Sequence, residues 1–396
     1  MKPVAVTQLS LMMLFQYFIW GAWYVTMNTY MKLNIGASDI HIGAAYSGFA
    51  IATMISPVFV GMIADRFFAA QKIMGFLHIG GAVLLYAATL VMDPDYFPWV
   101  IIAYSLLYMP TIALSNSIAF AQMADPGKQF PWIRVFGTIG WIVAGLMLAA
   151  LDVEKTAFTF HMAAIASLIL GVFSFTLPNT PPKATKASAS SAIGLQAFVL
   201  FKDKSYLIFF IAAILVCIPL SFYYAFANLF LVDVGMEGAA GKMTLGQVSE
   251  AVFILAIPFM FNRVGVKNMI LIGMLAWLLR YICFAYGNID NVWMLYAGII
   301  LHGICYDFFF VTGYMYTEKK AGEKIKSAAQ GFFTFATYGL GMVIGSWISG
   351  IVSETYSDGT VYDWKSIWYV PAGIAVFVLV YFMLFFKEKR EIKQVA

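Results

Sequence analysis

Apolar positions run along this chain in stretches of roughly 18–25 residues with short polar breaks between them, almost without pause from Leu9 to Phe386. A bilayer's hydrocarbon core is ~30 Å thick, and a helix rising 1.5 Å per residue needs ~20 apolar residues to cross it. The pattern therefore predicts membrane-spanning helices at 9–32, 41–64, 71–92, 97–123, 131–151, 156–177, 205–232, 244–261, 268–287, 291–316, 325–352 and 366–386. The first stretch follows Lys2 without a small-residue cleavage site, so it reads as a retained helix, not a removed signal peptide.

Composition turns that pattern into a class. The chain is 62% hydrophobic and 11% charged, more apolar surface than a soluble domain of 396 residues can bury in its own core. The fold class is all-α polytopic membrane protein. Cys217, Cys283 and Cys305 all fall inside spans and form neither a disulfide framework nor a metal-ligand pattern. No metal site and no cofactor is expected.

Charge sets the orientation. With the N-terminus in the cytoplasm, eighteen of the 24 Lys and Arg residues fall in cytoplasmic segments. Only Lys32, Lys155, Lys242 and Lys365 lie on the other side, while Arg134 and Arg280 sit within spans. The positive-inside rule then puts both termini in the cytoplasm. The net charge of +4 follows from this topology and gives no reason to expect a nucleic-acid partner.

The longest polar break, 178–204, contains Pro178-Asn179-Thr180-Pro181-Pro182 and a Lys/Ala/Ser run, and reads as a cytoplasmic linker. It divides the chain into an N-terminal bundle, 1–177, and a C-terminal bundle with a short tail, 205–396. The halves repeat one another. Trp23-Tyr24-x-x-x-Asn28 returns as Tyr223-Tyr224-x-x-x-Asn228, and Ile42-Gly43-x-x-Tyr46-Ser47 as Leu245-Gly246-x-x-Ser249-Glu250. Arg66 and Lys72 return as Arg263 and Lys267. Matches in chain order at offsets near 200 describe a parallel repeat, which places a substrate site between the halves near the membrane midplane.

The loop after the second span, Gly61-x-x-x-Asp65-Arg66, resembles the cytoplasmic signature of the major facilitator superfamily, though Phe68-Ala69-Ala70 stands where a Gly and a basic residue are common. That resemblance implies a cytoplasmic gate of Asp65 and Arg66, with Asp125 as partner of the arginine. Further motifs are more specific in combination: Phe130-Pro131-x-Ile133-Arg134-x-x-Gly137-Thr138, Gln247-x-Ser249-Glu250, Leu279-Arg280-Tyr281, Gly303-x-x-x-Asp307-Phe308, Ala328-Ala329-Gln330-Gly331 and Asp363-Trp364. In this order they resemble the nucleoside:proton symporter family within that superfamily, the nucleoside permeases of bacterial inner membranes. The resemblance implies a twelve-helix transporter of two six-helix halves, and a cavity lined in part by Arg134 and Thr138.

Ionisable groups inside spans are costly and mark candidate sites. They are Arg134, Glu250, Arg280, Asp307, His78, His161 and His302. Glu250 and Asp307 are the candidate proton-coupling residues, since a carboxyl held away from water can carry a proton through part of a transport cycle. The alternative makes each acid the fixed partner of a cation, Glu250 with Arg280 and Asp307 with Arg134. Arg134 fits either the cavity or the gate, and His302 either a proton relay or a hydrogen-bonded packing residue.

Polar and aromatic residues at helical spacing complete the substrate set: Tyr108, Ser221, Tyr224, Asn228, Gln247, His302 and Tyr306. Rings of this kind can stack a nucleobase, and hydroxyls and amides can satisfy base edges and ribose. The function expected is proton-coupled nucleoside uptake by a functional monomer in the bacterial inner membrane, its partners being nucleoside, protons and the lipid bilayer. The same fold carrying another polar metabolite, such as a modified nucleoside, sugar or glycoside, stays open, as does a receptor that binds without transporting. A membrane enzyme is disfavoured, because no metal cluster, nucleophile elbow or phosphate loop is present in the sequence.

Overall fold

The structure, a computed structural model, describes residues 3–66, 68–182 and 195–387, with the side chains at 57–59, 61–66, 126, 127, 195, 258, 262, 323, 324 and 327 outside the described set. The 178–204 linker therefore lies partly outside it. Each expected span corresponds to a helix. The first half holds α1 (Pro3–Ile35), α2 (Asp39–Arg66), α3 (Ala70–Ala88), α4 (Phe97–Ala121), α5 (Pro126–Ala150) and α6 (Phe158–Ser174). The second holds α7 (Lys204–Asp233), α8 (Ala239–Val264), α9 (Val266–Tyr286), α10 (Val292–Gly322), α11 (Ala328–Thr355) and α12 (Trp364–Phe385). A bilayer forces this choice, since helices satisfy their own backbone hydrogen bonds where no water can.

Helix packing repeats between the halves. α1 packs on α5 and α6, α2 on α4, and α3 on α4 and α6; correspondingly α7 packs on α11 and α12, α8 on α10, and α9 on α10 and α12. The halves meet through a symmetric pair of seams, α2 against α11 and α5 against α8. These seams are close because small residues line them. A methyl on Gly43 would strike the Ser346 carbonyl, and one on Gly145 would strike Thr244.

Three helices are irregular where they border the space between the halves. α1 breaks at Tyr24–Thr26 between its segments Pro3–Trp23 and Met27–Ile35. The Tyr24 carbonyl released there accepts from Tyr46 Oη at 2.6 Å, which satisfies that acceptor from a neighbouring helix. α10 widens to a π-helical segment at Asp307–Val311, and α11 does the same at Phe335–Gly341. Such bulges reorient side chains without ending the helix and recur at functional sites.

Candidate functional site

A cavity of about 610 Å³ lies between the halves, within the range of roughly 300–1,000 Å³ usual for small-molecule sites. The first half contributes Trp20 and Tyr24 from α1, Asn116 from α4, and Arg134 and Thr138 from α5. The second contributes Tyr224 from α7, Gln247 and Glu250 from α8, His302 and Tyr306 from α10, and Tyr338 from α11. The chamber thus combines aromatic planes, amide and hydroxyl groups, one guanidinium and one carboxylate.

Close helix approach sets several of these groups. Arg134 stacks its guanidinium on the Tyr17 ring, 4.0 Å from the centroid, and Gly137 one turn on leaves room for both. On the other side Gly303 of α10 lies so close to Ser249 and the Glu250 amide that a methyl there would collide with the α8 backbone. Ser249 Oγ donates to the Ile300 carbonyl at 2.5 Å, fixing the same contact. Gly303 therefore sets how deep Glu250 sits. Glu250 makes no hydrogen bond or ion pair among the described residues and is left to the cavity.

The far face of the molecule, opposite the linker, is shut. Tyr24 and Tyr224 meet edge to face across the halves, their centroids 5.5 Å apart. Beyond them Asn28 Nδ2 donates to the Ala225 carbonyl at 2.8 Å, and Thr29 Oγ1 to Asn228 Oδ1 at 2.6 Å. Further out Asp39 Oδ1 receives both Lys32 Nζ at 3.1 Å and Tyr362 Oη at 2.7 Å, while Glu354 accepts from the Asp39 amide at 2.7 Å. Burial, with the Asp39 carboxylate nearby, raises the Tyr362 phenol above its usual range and keeps it a donor. Glu154, in the loop after α5, accepts from the amides of Ala239 and Ala240 at 3.1 and 2.6 Å. It caps α8 from the other half. Among the described residues, all hydrogen bonds between the halves lie from mid-membrane to this face.

The cavity gathers Arg134, Thr138, Tyr224, Gln247, Glu250, His302 and Tyr306 in its wall. Four candidates stand outside its wall. Tyr108 Oη donates to the Gln16 carbonyl at 2.5 Å, inside the first half. Ser221 Oγ is turned to the Cys217 and Met342 carbonyls at 2.9 and 3.3 Å. Asn228 serves the seam just described. Asp307 is fully buried at the start of the π segment, and neither carboxylate oxygen has a hydrogen-bond partner.

The fixed pairs of the alternative reading, Glu250 with Arg280 and Asp307 with Arg134, do not form among the described residues. Arg134 is occupied by Tyr17, and Arg280 Nη1 meets His302 Nδ1 at 2.9 Å in place of Glu250. Side-chain geometry explains the change: His302, one helix over, lies between α9 and the cavity. The described contacts of Asp125 are local, capping α5 through the Lys128 amide at 3.3 Å, with Lys128 Nζ at 3.5 Å. The side chains of Asp65 and Arg66 lie outside the described residues. No group of three or more His, Cys, Asp or Glu among the described residues could hold a metal.

Glu154 and Asp39 were not anticipated as seam residues. A signal for Glu154 was present: the start of α8, Gly238-Ala239-Ala240-Gly241, carries no Ser, Thr, Asp or Asn, so its cap must come from elsewhere in the chain.

Comparison with known proteins adds the following. Residues 4–391 match the nucleoside H+ symporter family. The chain is 43% identical to YegT of Escherichia coli (strain K12), over 98% of this chain and 95% of that one. It is 37% identical to the xanthosine permease of the same organism, over 97% of this chain and 96% of that one. The crystal structure of the nucleoside transporter NupG resembles it with a TM-score of 0.90 at 34% identity, covering 98% of this chain and 100% of that one.

Proposed function

This chain belongs to the nucleoside H+ symporter family, and on that premise we propose that it carries nucleosides with protons across the bacterial inner membrane by alternating access. The observation that carries the reading is the cavity: stacking rings and polar groups surround a carboxylate, Glu250, that no cation holds. The excess of Lys and Arg on one side supports a cytoplasmic linker and cytoplasmic termini. The cavity described here then belongs to the state sealed towards the outside. The two bundles, 1–177 and 205–396, rock about the midplane, and each molecule works as a monomer within the lipid bilayer.

Substrate contacts fall to Trp20, Tyr24, Arg134, Thr138, Tyr224, Gln247, His302 and Tyr306. Rings take the base; the guanidinium and amide, with several donors each, take carbonyl and hydroxyl oxygens. Tyr108, Ser221 and Asn228 support the helices that present these groups. Proton coupling falls to Glu250, with Asp307 behind it. Neither carboxyl is locked in an ion pair, as a group that binds and releases a proton once per cycle requires. Asp65 and Arg66, with Asp125, form the gate that closes when the outer seam opens.

Uptake of labelled uridine and xanthosine into proteoliposomes, with an imposed proton gradient and after its collapse, tests the reading. Accumulation of at least one nucleoside that disappears with the gradient is expected. Gradient-driven accumulation of neither would overturn it.

A further inference from the structure

Arg280 is fully buried in the membrane domain and has no carboxylate partner among the described residues. Aromatic faces surround it in place of a counter-ion: its Cζ lies 3.5 Å from the Tyr223 ring centroid, with Trp277 and Phe284 at 5.5 and 5.7 Å. Its Nε and Nη2 make no hydrogen bond, while Nη1 meets His302 Nδ1 at 2.9 Å and the guanidinium also lies beside the Tyr223 hydroxyl and the Cys305 thiol. A buried cation that forgoes an ion pair for a histidine calls for a functional account.

We propose that Arg280 is a positioning residue that locks His302 into the tautomer with its proton on Nε2, so that the imidazole presents a permanent N–H donor to the transport cavity. The chemistry leaves one arrangement. A guanidinium has five donors, no acceptor lone pair and a charge it does not lose, so at 2.9 Å the Nδ1 atom must accept. A neutral imidazole accepting at Nδ1 carries its hydrogen on Nε2. That nitrogen makes no hydrogen bond within the described residues, and the ring lines the cavity. The ring's tilt is fixed by stacking on Tyr223, centroids 5.2 Å apart, and by the Gly246 backbone of α8 against its Cβ.

The same contact bars His302 from relaying protons. A second proton would set an Nδ1–H donor against a guanidinium donor and place two positive charges side by side. The charged and titratable groups around the ring are Arg280 from α9, Tyr223 from α7, Tyr306 on its own helix, and Glu250 on the adjoining α8. Only Glu250 would favour an imidazolium, and it makes no ion pair with the ring. The ligand group recognised is an oxygen acceptor, a base carbonyl or a ribose hydroxyl; that identity rests on the nucleoside reading, whereas the tautomer does not.

Nitrogen-15 NMR of full-length protein labelled at histidine tests the lock directly, with His302→Gln assigning the resonance. The expected spectrum shows a neutral ring protonated on Nε2 and unchanged from about pH 5 to 8. A ring protonated on Nδ1, or an imidazolium in that window, overturns the proposal even if no Arg280 variant folds. In Arg280→Met the ring should become a tautomer mixture or begin to titrate, while Arg280→Lys, which keeps a buried donor, should hold the Nε2 form. Binding of labelled uridine supplies the second arm. His302→Phe and Arg280→Met should each weaken it about tenfold, the double variant no further, and His302→Gln should recover most of the loss. Losses that add in the double variant overturn the proposal. Absence of uridine binding to the unaltered protein would defeat the nucleoside reading and leave the tautomer to be decided by the spectrum.

Discussion

The two halves carry equivalent buried clusters that have been put to different uses. At the repeat offset near 200, His78 on α3 corresponds to Arg280 on α9, Trp23 to Tyr223, and the pair Tyr104 and Tyr108 to His302 and Tyr306. In the first half the hydrogen bonds around His78 close among neighbouring side chains. His78 Nε2 meets Gln16 Oε1 at 2.9 Å, its Nδ1 meets Ser167 Oγ at 3.1 Å, and Gln16 Nε2 donates to Thr111 Oγ1 at 2.7 Å. None of His78, Gln16, Thr111 or Ser167 reaches the cavity. In the second half a cation replaces the histidine and a histidine replaces a tyrosine. The result is a cluster left open, with His302 and Glu250 turned to the ligand space. A satisfied network makes a half rigid; an open one lets it respond to what enters the cavity.

The largest test of that contrast is Glu250→Gln. The amide keeps the shape but cannot bind and release a proton, so gradient-driven nucleoside accumulation should be abolished while exchange of nucleoside across the membrane continues. Asp307→Asn, changed alone, reports whether the deeper carboxyl shares the role. Full accumulation in both variants would remove coupling from the second half and with it the functional side of the comparison.

Much of this arrangement was legible in the sequence, and the gaps have a common cause. Span lengths and the 178–204 break follow from hydrocarbon thickness and linker chemistry, so the helices fall where expected. The repeat was legible too, and it marks the seam itself, since Tyr24 and Asn28 meet the segment holding Tyr224 and Asn228. The break in α1 was not legible, because Tyr24-Val25-Thr26 contains neither Pro nor Gly and its partner, Tyr46, lies on another helix. Tyr108, Ser221 and Asn228 show the other limit. An i, i+4 spacing identifies a helix face but not which neighbour the face meets, and these helices are buried on several sides. The pairing of Arg280 with His302 in place of Glu250 is the same problem in rotation about a helix axis.

His78→Phe should separate structure from function in the closed cluster. It strands Gln16 Oε1, at a cost of about 1–3 kcal/mol, while Ser167 keeps its bond to the backbone carbonyl of residue 78. That appears as a lower thermal unfolding midpoint, with the KM for uridine unchanged within about twofold. His302→Phe, in the open cluster, should raise the KM for uridine. A KM rise in His78→Phe matching that of His302→Phe would show that the clusters are not distinct in use.

Glu154→Ala sharpens the comparison at the seam where the halves join. It uncaps α8 at two buried amides, about 1–3 kcal/mol in favour of states in which those amides meet water. Distances between spin labels on the loops after α5 and after α7 should shift towards a population open on the far face. An unchanged distribution would mean that this cap does not hold the halves together.

The smallest effect belongs to a charged pair of the second half that lies away from the cavity. Asp203 caps α7 through the amides of Ser205 and Tyr206, at 2.9 and 3.4 Å, and meets Lys320 Nζ at 2.6 Å. The Lys320 contact holds the Asp203 carboxyl below its ordinary range. Asp203→Asn keeps a good cap but loses the partly exposed ion pair, so stability should fall by less than about 1 kcal/mol. A depressed folded value means the pair contributes fully above the unfolded aspartate value of about 3.9 and is lost as pH falls through the lower folded one. The difference between variant and parent should therefore stay flat from about pH 5 to 8 and shrink only below about pH 4. KM for uridine should not move. If it does, charge anywhere in the second half influences transport, and the open cluster at Arg280, His302 and Glu250 loses its claim to be special.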